Sequence, residues 1–116
     1  MTVKVIAMLK RRPDLSQEEF VDYYESRHAP LILSIAPQIR DYRRNYLHRE
    51  GAILAAGARP PDFDVVTELW LDDQSAFAAA MAAFTDPTNA ARIACDEENV
   101  FDRSGTMFFV ATERGG

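Results

Sequence analysis

Cysteine is almost absent: Cys95 is the single one among 116 residues. No disulfide can form within the chain, so nothing in it demands an oxidising compartment. Set in a helical stretch with no histidine nearby in sequence, Cys95 reads as small filler rather than as a nucleophile. Positive charge is also scarce: 13 Lys and Arg face 18 Asp and Glu, a net charge of −5. Phosphate binding needs a local excess of cations, so nucleic acid and anionic membrane are set aside as partners. Arg40, Arg43, Arg44 and Arg49 cluster, but on an alternating strand they fall on both faces, with Asp41 and Glu50 among them. No apolar run approaches the length of a membrane span. The opening MTVKVIAMLKRR carries its charges on the wrong side of its apolar run for a secretory signal. A soluble cytoplasmic protein is the expectation. The two histidines show no HxH or HExxH spacing, and CxxC, G-x-G-x-x-G and P-loop patterns are lacking, so no metal and no nucleotide cofactor is expected.

The length suits one domain over residues 1–116. Val3 to Leu9 reads as a buried strand, with Pro13 and Asp14 turning out of it. Ser16 followed by Glu19 has capping-box spacing and predicts a helix from Gln17 to Ile35. Phe20, Tyr24, Arg27, Leu31 and Ile35 recur along it at helical spacing, with Val21, His28 and Ile32 beside them. Pro30 cannot donate to the carbonyl of Ser26, which predicts a bend or loosening just after His28. Ile39 to Arg49 alternates as a strand; Gly51 to Phe63 is a loop with an unusually apolar middle. Asp64 to Leu71 is a strand. A helix carrying Phe77, Met81 and Phe84 follows and breaks at Asp86-Pro87. Another helix spans Thr88 to Asn99, and Thr106 to Thr112 is the last strand.

The order β-α-β-β-α-β is the ferredoxin-like arrangement: α+β, an antiparallel sheet with helices on one face. Such a sheet should alternate apolar with polar. Yet Val65, Leu69 and Leu71 oppose Val66 and Trp70, and Phe108 and Val110 oppose Met107, Phe109 and Ala111. Both faces read as dry, so a second copy of the chain is expected on the outer one, a homodimer joined through its sheet faces.

The run KRRPDLSQEEFVDYYESRHAPL at Lys10 to Leu31 resembles the signature of EthD-domain proteins of the dimeric α/β-barrel superfamily. PDFDVVTELWLDD at Pro61 to Asp73 extends the resemblance, and ACDEENVFD at Ala94 to Asp102 adds a weaker echo. There are two departures from the pattern: Tyr24 stands where such sequences often carry tryptophan, and Val65 and Val66 fill a spot that is often smaller. The resemblance implies a ferredoxin-like monomer that pairs into a barrel. It also implies kinship with cofactor-free monooxygenases, polyketide cyclases, muconolactone isomerases, decarboxylases and dehydratases, alongside many members without known activity. Fold-level kinship leaves the reaction open.

His28 is the leading candidate for chemistry, because imidazole exchanges protons near neutral pH; its bland alternative is a packed helix histidine. Tyr24, one turn earlier, can orient His28 or donate its phenol to a substrate oxygen, and Tyr46 is the second phenol able to steady an enolate. Trp70 offers a stacking face. Glu68 shares its strand face, where a carboxylate is either paired, with Arg44 for example, or used as an acid or base. Phe77 and Met81 would line one wall, with Phe84. Asp64, with Asp62, sits where it could edge a pocket mouth, although turn and capping roles fit it better. His48 reads as surface, and Asp96, Glu97 and Glu98 as a solvated helix face. The reading is a cofactor-independent enzyme acting on a small aromatic, polyketide-like or lactone molecule by proton transfer through His28, or by a cofactor-free oxygenation. The alternative is a non-catalytic binder of hydrophobic ligands serving a degradation or biosynthesis pathway.

Overall fold

The computed structural model describes residues 1–116. Strand β1 (Val3–Arg11) leads to helix α1 (Gln17–Tyr23), a π-helical turn (Tyr24–His28) and helix α2 (Ala29–Ile35). Strands β2 (Ile39–Tyr46) and β3 (Val65–Leu71), helices α3 (Gln74–Thr85) and α4 (Pro87–Glu97) and strand β4 (Phe101–Ala111) complete the chain. The four strands form one antiparallel sheet in the order β2-β3-β1-β4. This is the expected ferredoxin-like α+β topology, with the helices on one face.

The capping box forms as its spacing predicts. Ser16 Oγ accepts from the Glu19 amide at 3.1 Å, and Glu19 Oε1 accepts from the Ser16 amide at 2.9 Å. Asp73 caps α3 through the Ala76 amide at 2.8 Å. Asp86 ends that helix and caps α4, with Pro87 at its first position, where a missing N–H is harmless. The loosening of the first helical segment lies before His28, not after it. The Ala29 amide reaches five residues back to the Tyr24 carbonyl, the π pattern. Pro30, early in α2, then lacks only a donor that the opened turn does not use.

That turn changes which residues face inward. On a straight α-helix a row of residues four apart drifts by about 40° per step. The widened turn takes the drift back, so Phe20, Tyr24, His28 and Ile32 are all buried. Arg27 and Leu31, which the regular spacing also places on the apolar row, are exposed and half-buried.

The core divides into two clusters beneath the helices. One gathers Ala7, Leu9, Phe20, Tyr24, Val65 and Phe101; the other gathers Val5, Ile32, Ile39, Leu69, Leu71 and Ala80. In β3 the helix-side residues Val65, Thr67, Leu69 and Leu71 are buried and alternate with half-buried Val66, Glu68 and Trp70. Strand β2 ends at Tyr46 rather than Arg49; the Leu47 amide makes the last bond in its register, to the Asp64 carbonyl. Strand β4 begins earlier than the sequence pattern suggests. Phe101 and Asp102 pair with Arg11 and Lys10 across a bulge. An added Cβ at Gly105 would lie 2.8 Å from the Lys10 Cβ, so the strand passes there without a side chain. On the outer face β4 leaves Met107 and Phe109 43% and 52% exposed. No helix is long and apolar enough to cross a membrane.

Candidate active site

A cavity of about 350 Å³ lies between the sheet and the helices. Its walls are mostly apolar: Ala7, Leu9 and Leu69 from the sheet, Ile32, Met81 and Phe84 from the helices, and Ala90, Ile93 and Ala94 from α4. The exposed side chains of Arg103, Thr106 and Phe108 on β4 border it. Three polar groupings interrupt the apolar lining.

The first is His28, 3% exposed on the π turn. Its Nδ1 lies 2.7 Å from Asp96 Oδ2 on α4. Asp96 Oδ1 in turn accepts from the Tyr23 hydroxyl at 2.8 Å, and that hydroxyl accepts from Asn99 Nδ2 at 3.2 Å. An ionised carboxylate only accepts, so Nδ1 carries the hydrogen and Nε2 keeps its lone pair. Nε2 has no partner in the protein. Tyr24 and Phe101 each stand edge-on to the imidazole with ring centroids 5.0 Å away, which fixes its plane. Burial lowers the His28 pKa, and the bond and charge of Asp96 oppose that fall. The ring is thus neutral, oriented and basic at one nitrogen.

The second grouping is a trio of hydroxyls. Tyr24 Oη lies 2.6 Å from Thr67 Oγ1 and 3.0 Å from Tyr42 Oη. Three hydroxyl hydrogens serve two bonds, which leaves one to donate to a guest. Burial raises the pKa of both phenols, so they stay protonated and act as donors. The third grouping is Glu97 of α4, facing Arg103 with Oε1 3.7 Å from Nε.

Of the residues singled out from the sequence, the fold brings His28, Tyr24, Met81 and Phe84 to the cavity. Tyr46 stays outside its lining: its hydroxyl donates to Glu25, and its ring packs edge-on against Phe20 and Tyr24. Phe77 packs in the core cluster beside the cavity, not on its wall. Glu68 and Trp70 lie on the opposite face of the sheet, because side chains alternate along a strand. There Glu68 pairs with Lys4 at 2.7 Å, not with Arg44, and Trp70 Nε1 donates to Glu113 at 2.8 Å with the Lys4 ammonium over its ring. Arg44 instead pairs with Glu25 at 2.6 Å. Asp64 is a corner staple: it accepts from the Arg11 amide at 2.6 Å and from Arg49 at 3.1 Å. The apolar loop before it contributes nothing to the cavity, and Ile53 at its tip is 97% exposed.

Sequence reasoning missed Asp96 and Glu97, whose acidic run is not a uniformly solvated face. Cys95 beside them is exposed, not filler. The signal was helical spacing: Ala90, Ile93, Ala94 and Glu97 form one row, and all four line the cavity. Tyr42 and Thr67 were missed because neither carries a motif; only pairing of β2 with β3 brings them to Tyr24.

A profile of the EthD domain matches residues 12–104. Among solved structures, an EthD-family protein of Bacillus halodurans is 23% identical, with a TM-score of 0.65, over 98% of this chain and 100% of that one. The cofactor-independent oxygenase SnoaB of Streptomyces nogalater is 15% identical, with a TM-score of 0.62, over 99% of this chain and 95% of its own. A Thermobifida fusca protein described as dimeric, ferredoxin-like and of unknown function is 19% identical, with a TM-score of 0.54, covering 97% and 92%. No curated protein sequence matches the chain.

Proposed function

The chain belongs to the EthD-domain family, and from that premise we propose that it is a cofactor-independent enzyme acting on a small aromatic, polyketide-like or lactone molecule by proton transfer through His28. One observation carries the reading. A buried imidazole has its Nδ1 held by Asp96 at 2.7 Å while its ring borders an apolar cavity large enough for one bicyclic guest. Nε2 is the general base. It takes a proton from an acidic C–H or O–H of the guest, and the free hydroxyl hydrogen of the Tyr24–Tyr42–Thr67 trio meets the oxygen on which negative charge develops. Isomerisation, cyclisation and dehydration begin with such a step, and decarboxylation ends with its reverse, protonation of the carbon that has lost carbon dioxide. Deprotonating a phenol also prepares it for oxygen, and the fold shared with a cofactor-independent oxygenase supports that variant.

The active form is a homodimer in this reading. Ile6, Met8, Met107 and Phe109 share the outer sheet face, and structures of the same fold are described as dimeric. The experiment is a panel of phenols and lactones screened for thermal stabilisation, followed by turnover of the stabilising compounds. His28→Gln, whose amide fills part of the ring volume, should abolish turnover in a folded protein, and His28→Ala should do the same at a lower melting temperature because it empties a buried site and strands Asp96. Full turnover in both variants would remove His28 from the mechanism. Saturable binding without conversion by the wild type would make the protein a carrier instead.

A further inference from the structure

Glu97 is placed at a cost. It occupies the last turn of α4, where the helix dipole disfavours negative charge, directly after another carboxylate. Its side chain is 18% exposed and lines the apolar cavity. Its carboxyl makes no hydrogen bond within the protein. The one cation near it, Arg103, is too distant for a hydrogen bond at 3.7 Å and is 52% exposed, so the pair contributes little. A carboxyl group taken from water without a partner is destabilising unless a ligand completes it.

We propose that Glu97 is the second proton carrier of this cavity, delivering a proton to a carbonyl oxygen of the ligand while His28 Nε2 withdraws one from the adjacent carbon. The inference rests on the reading of His28 given above, and it narrows the ligand to neutral, enolisable carbonyl compounds; an anionic ligand would meet the freed Glu97 carboxylate. In the forward step the α-carbon loses its proton to Nε2, and the Glu97 hydroxyl proton passes to the carbonyl oxygen. An enol, an imidazolium and a carboxylate result. In the return step the imidazolium protonates the same or a conjugated carbon and the carboxylate recovers the enol proton, so nothing is oxidised or reduced.

The surroundings agree. Burial raises the Glu97 pKa, against the lowering pull of Arg103 and with the repulsion of Asp96. It lowers that of His28, as an acid and a base sharing one cavity require. Of the groups facing the site, His28 is on the π turn, Asp96 on α4 and Arg103 on β4, with the phenols of Tyr24 and Tyr42 on the remaining walls.

The test uses the full chain with 2-tetralone, a neutral bicyclic ketone, and reads exchange of its α-hydrogens for deuterium by NMR beside its affinity by calorimetry. The wild type should bind the ketone and accelerate exchange, with the rate falling as pH rises through the Glu97 pKa. Glu97→Gln should keep the affinity, since an amide still donates to the carbonyl, but lose about 10²-fold in exchange rate together with that pH dependence. Undiminished exchange in Glu97→Gln with an inactive His28→Gln would overturn the role of Glu97 and leave His28 standing. Ketone bound without exchange by the wild type would overturn both, and absence of binding would overturn the ligand class. Independently, the ¹³C signal of the Glu97 carboxyl should titrate above the ordinary glutamate value of about 4.3; titration at or below it refutes the inference.

Discussion

Asp96 steadies His28 from the other end of the chain, with Oδ2 2.7 Å from Nδ1, and the carboxylate is itself held by the Tyr23 hydroxyl at 2.8 Å. Tyr23 precedes the π turn that carries His28, and Asp96 sits in the last turn of α4. The bond therefore ties the first helical segment to α4 at the point where the cavity opens to the imidazole. A histidine ring held in this way has one tautomer and one aim.

Burial of the same ring sets a pH dependence of stability, which the bond to Asp96 moderates. The His28 pKa is lower in the folded chain than in the unfolded one, where it is about 6.5. Below that value the unfolded state binds the extra proton and the folded state resists it, so the contribution of His28 is present in full above about pH 6.5 and is lost as pH falls toward the folded pKa. Urea midpoints of the wild type should decline from pH 7 to pH 5 relative to those of His28→Gln. Asp96→Asn removes the group that raises the His28 pKa, so the decline should steepen. A ring proton that titrates higher in Asp96→Asn than in the wild type, followed by NMR, would contradict the assignment.

The hydroxyl trio makes a second expectation. Tyr24→Phe removes both bonds at once and leaves the buried Thr67 hydroxyl without its partner. A loss of about 1–3 kcal/mol is expected by urea denaturation with an unchanged m-value. Thr67→Val in the same background should cost much less than it does alone, because the two deletions share one interaction. Additive losses would show that the trio is not coupled.

The outer face of the sheet is testable by mass. Phe109→Asp sets a charge amid Ile6, Met8 and Met107, away from the cavity. The wild type should sediment as a dimer and the variant as a monomer. A monomeric wild type at micromolar concentration would rule out pairing through this face.

Element order and helix starts were legible because local patterns decide them. Ser16 and Glu19 need only each other, and Asp86-Pro87 ends one helix and begins the next wherever it occurs. The site was legible only at its centre. His28 and Tyr24 could be read because one segment carries both. Asp96 lies beyond two strands and two helices from its partner, and nothing local separates it from Glu98, which is exposed. Glu68 invited a pairing with Arg44, but β2 presents Arg44 to the helix side, toward Glu25, and β1 supplies Lys4 on the outer side instead. Which cation meets which carboxylate is a property of strand register and face, and composition does not contain it.

The π turn has a consequence for how such a site can change. One surplus residue between Tyr24 and His28 sets the compass bearing of the imidazole, while α1 and α2 on either side stay anchored by Phe20 and by Ile32 and Ile35. His28 directly precedes Ala29, so its ring turns with α2 and cannot be re-aimed without moving Ile32 and Ile35. The bearing of the imidazole and the seating of the interior are geared together here, and a lineage built on this frame would have to reseat α2 to redirect it.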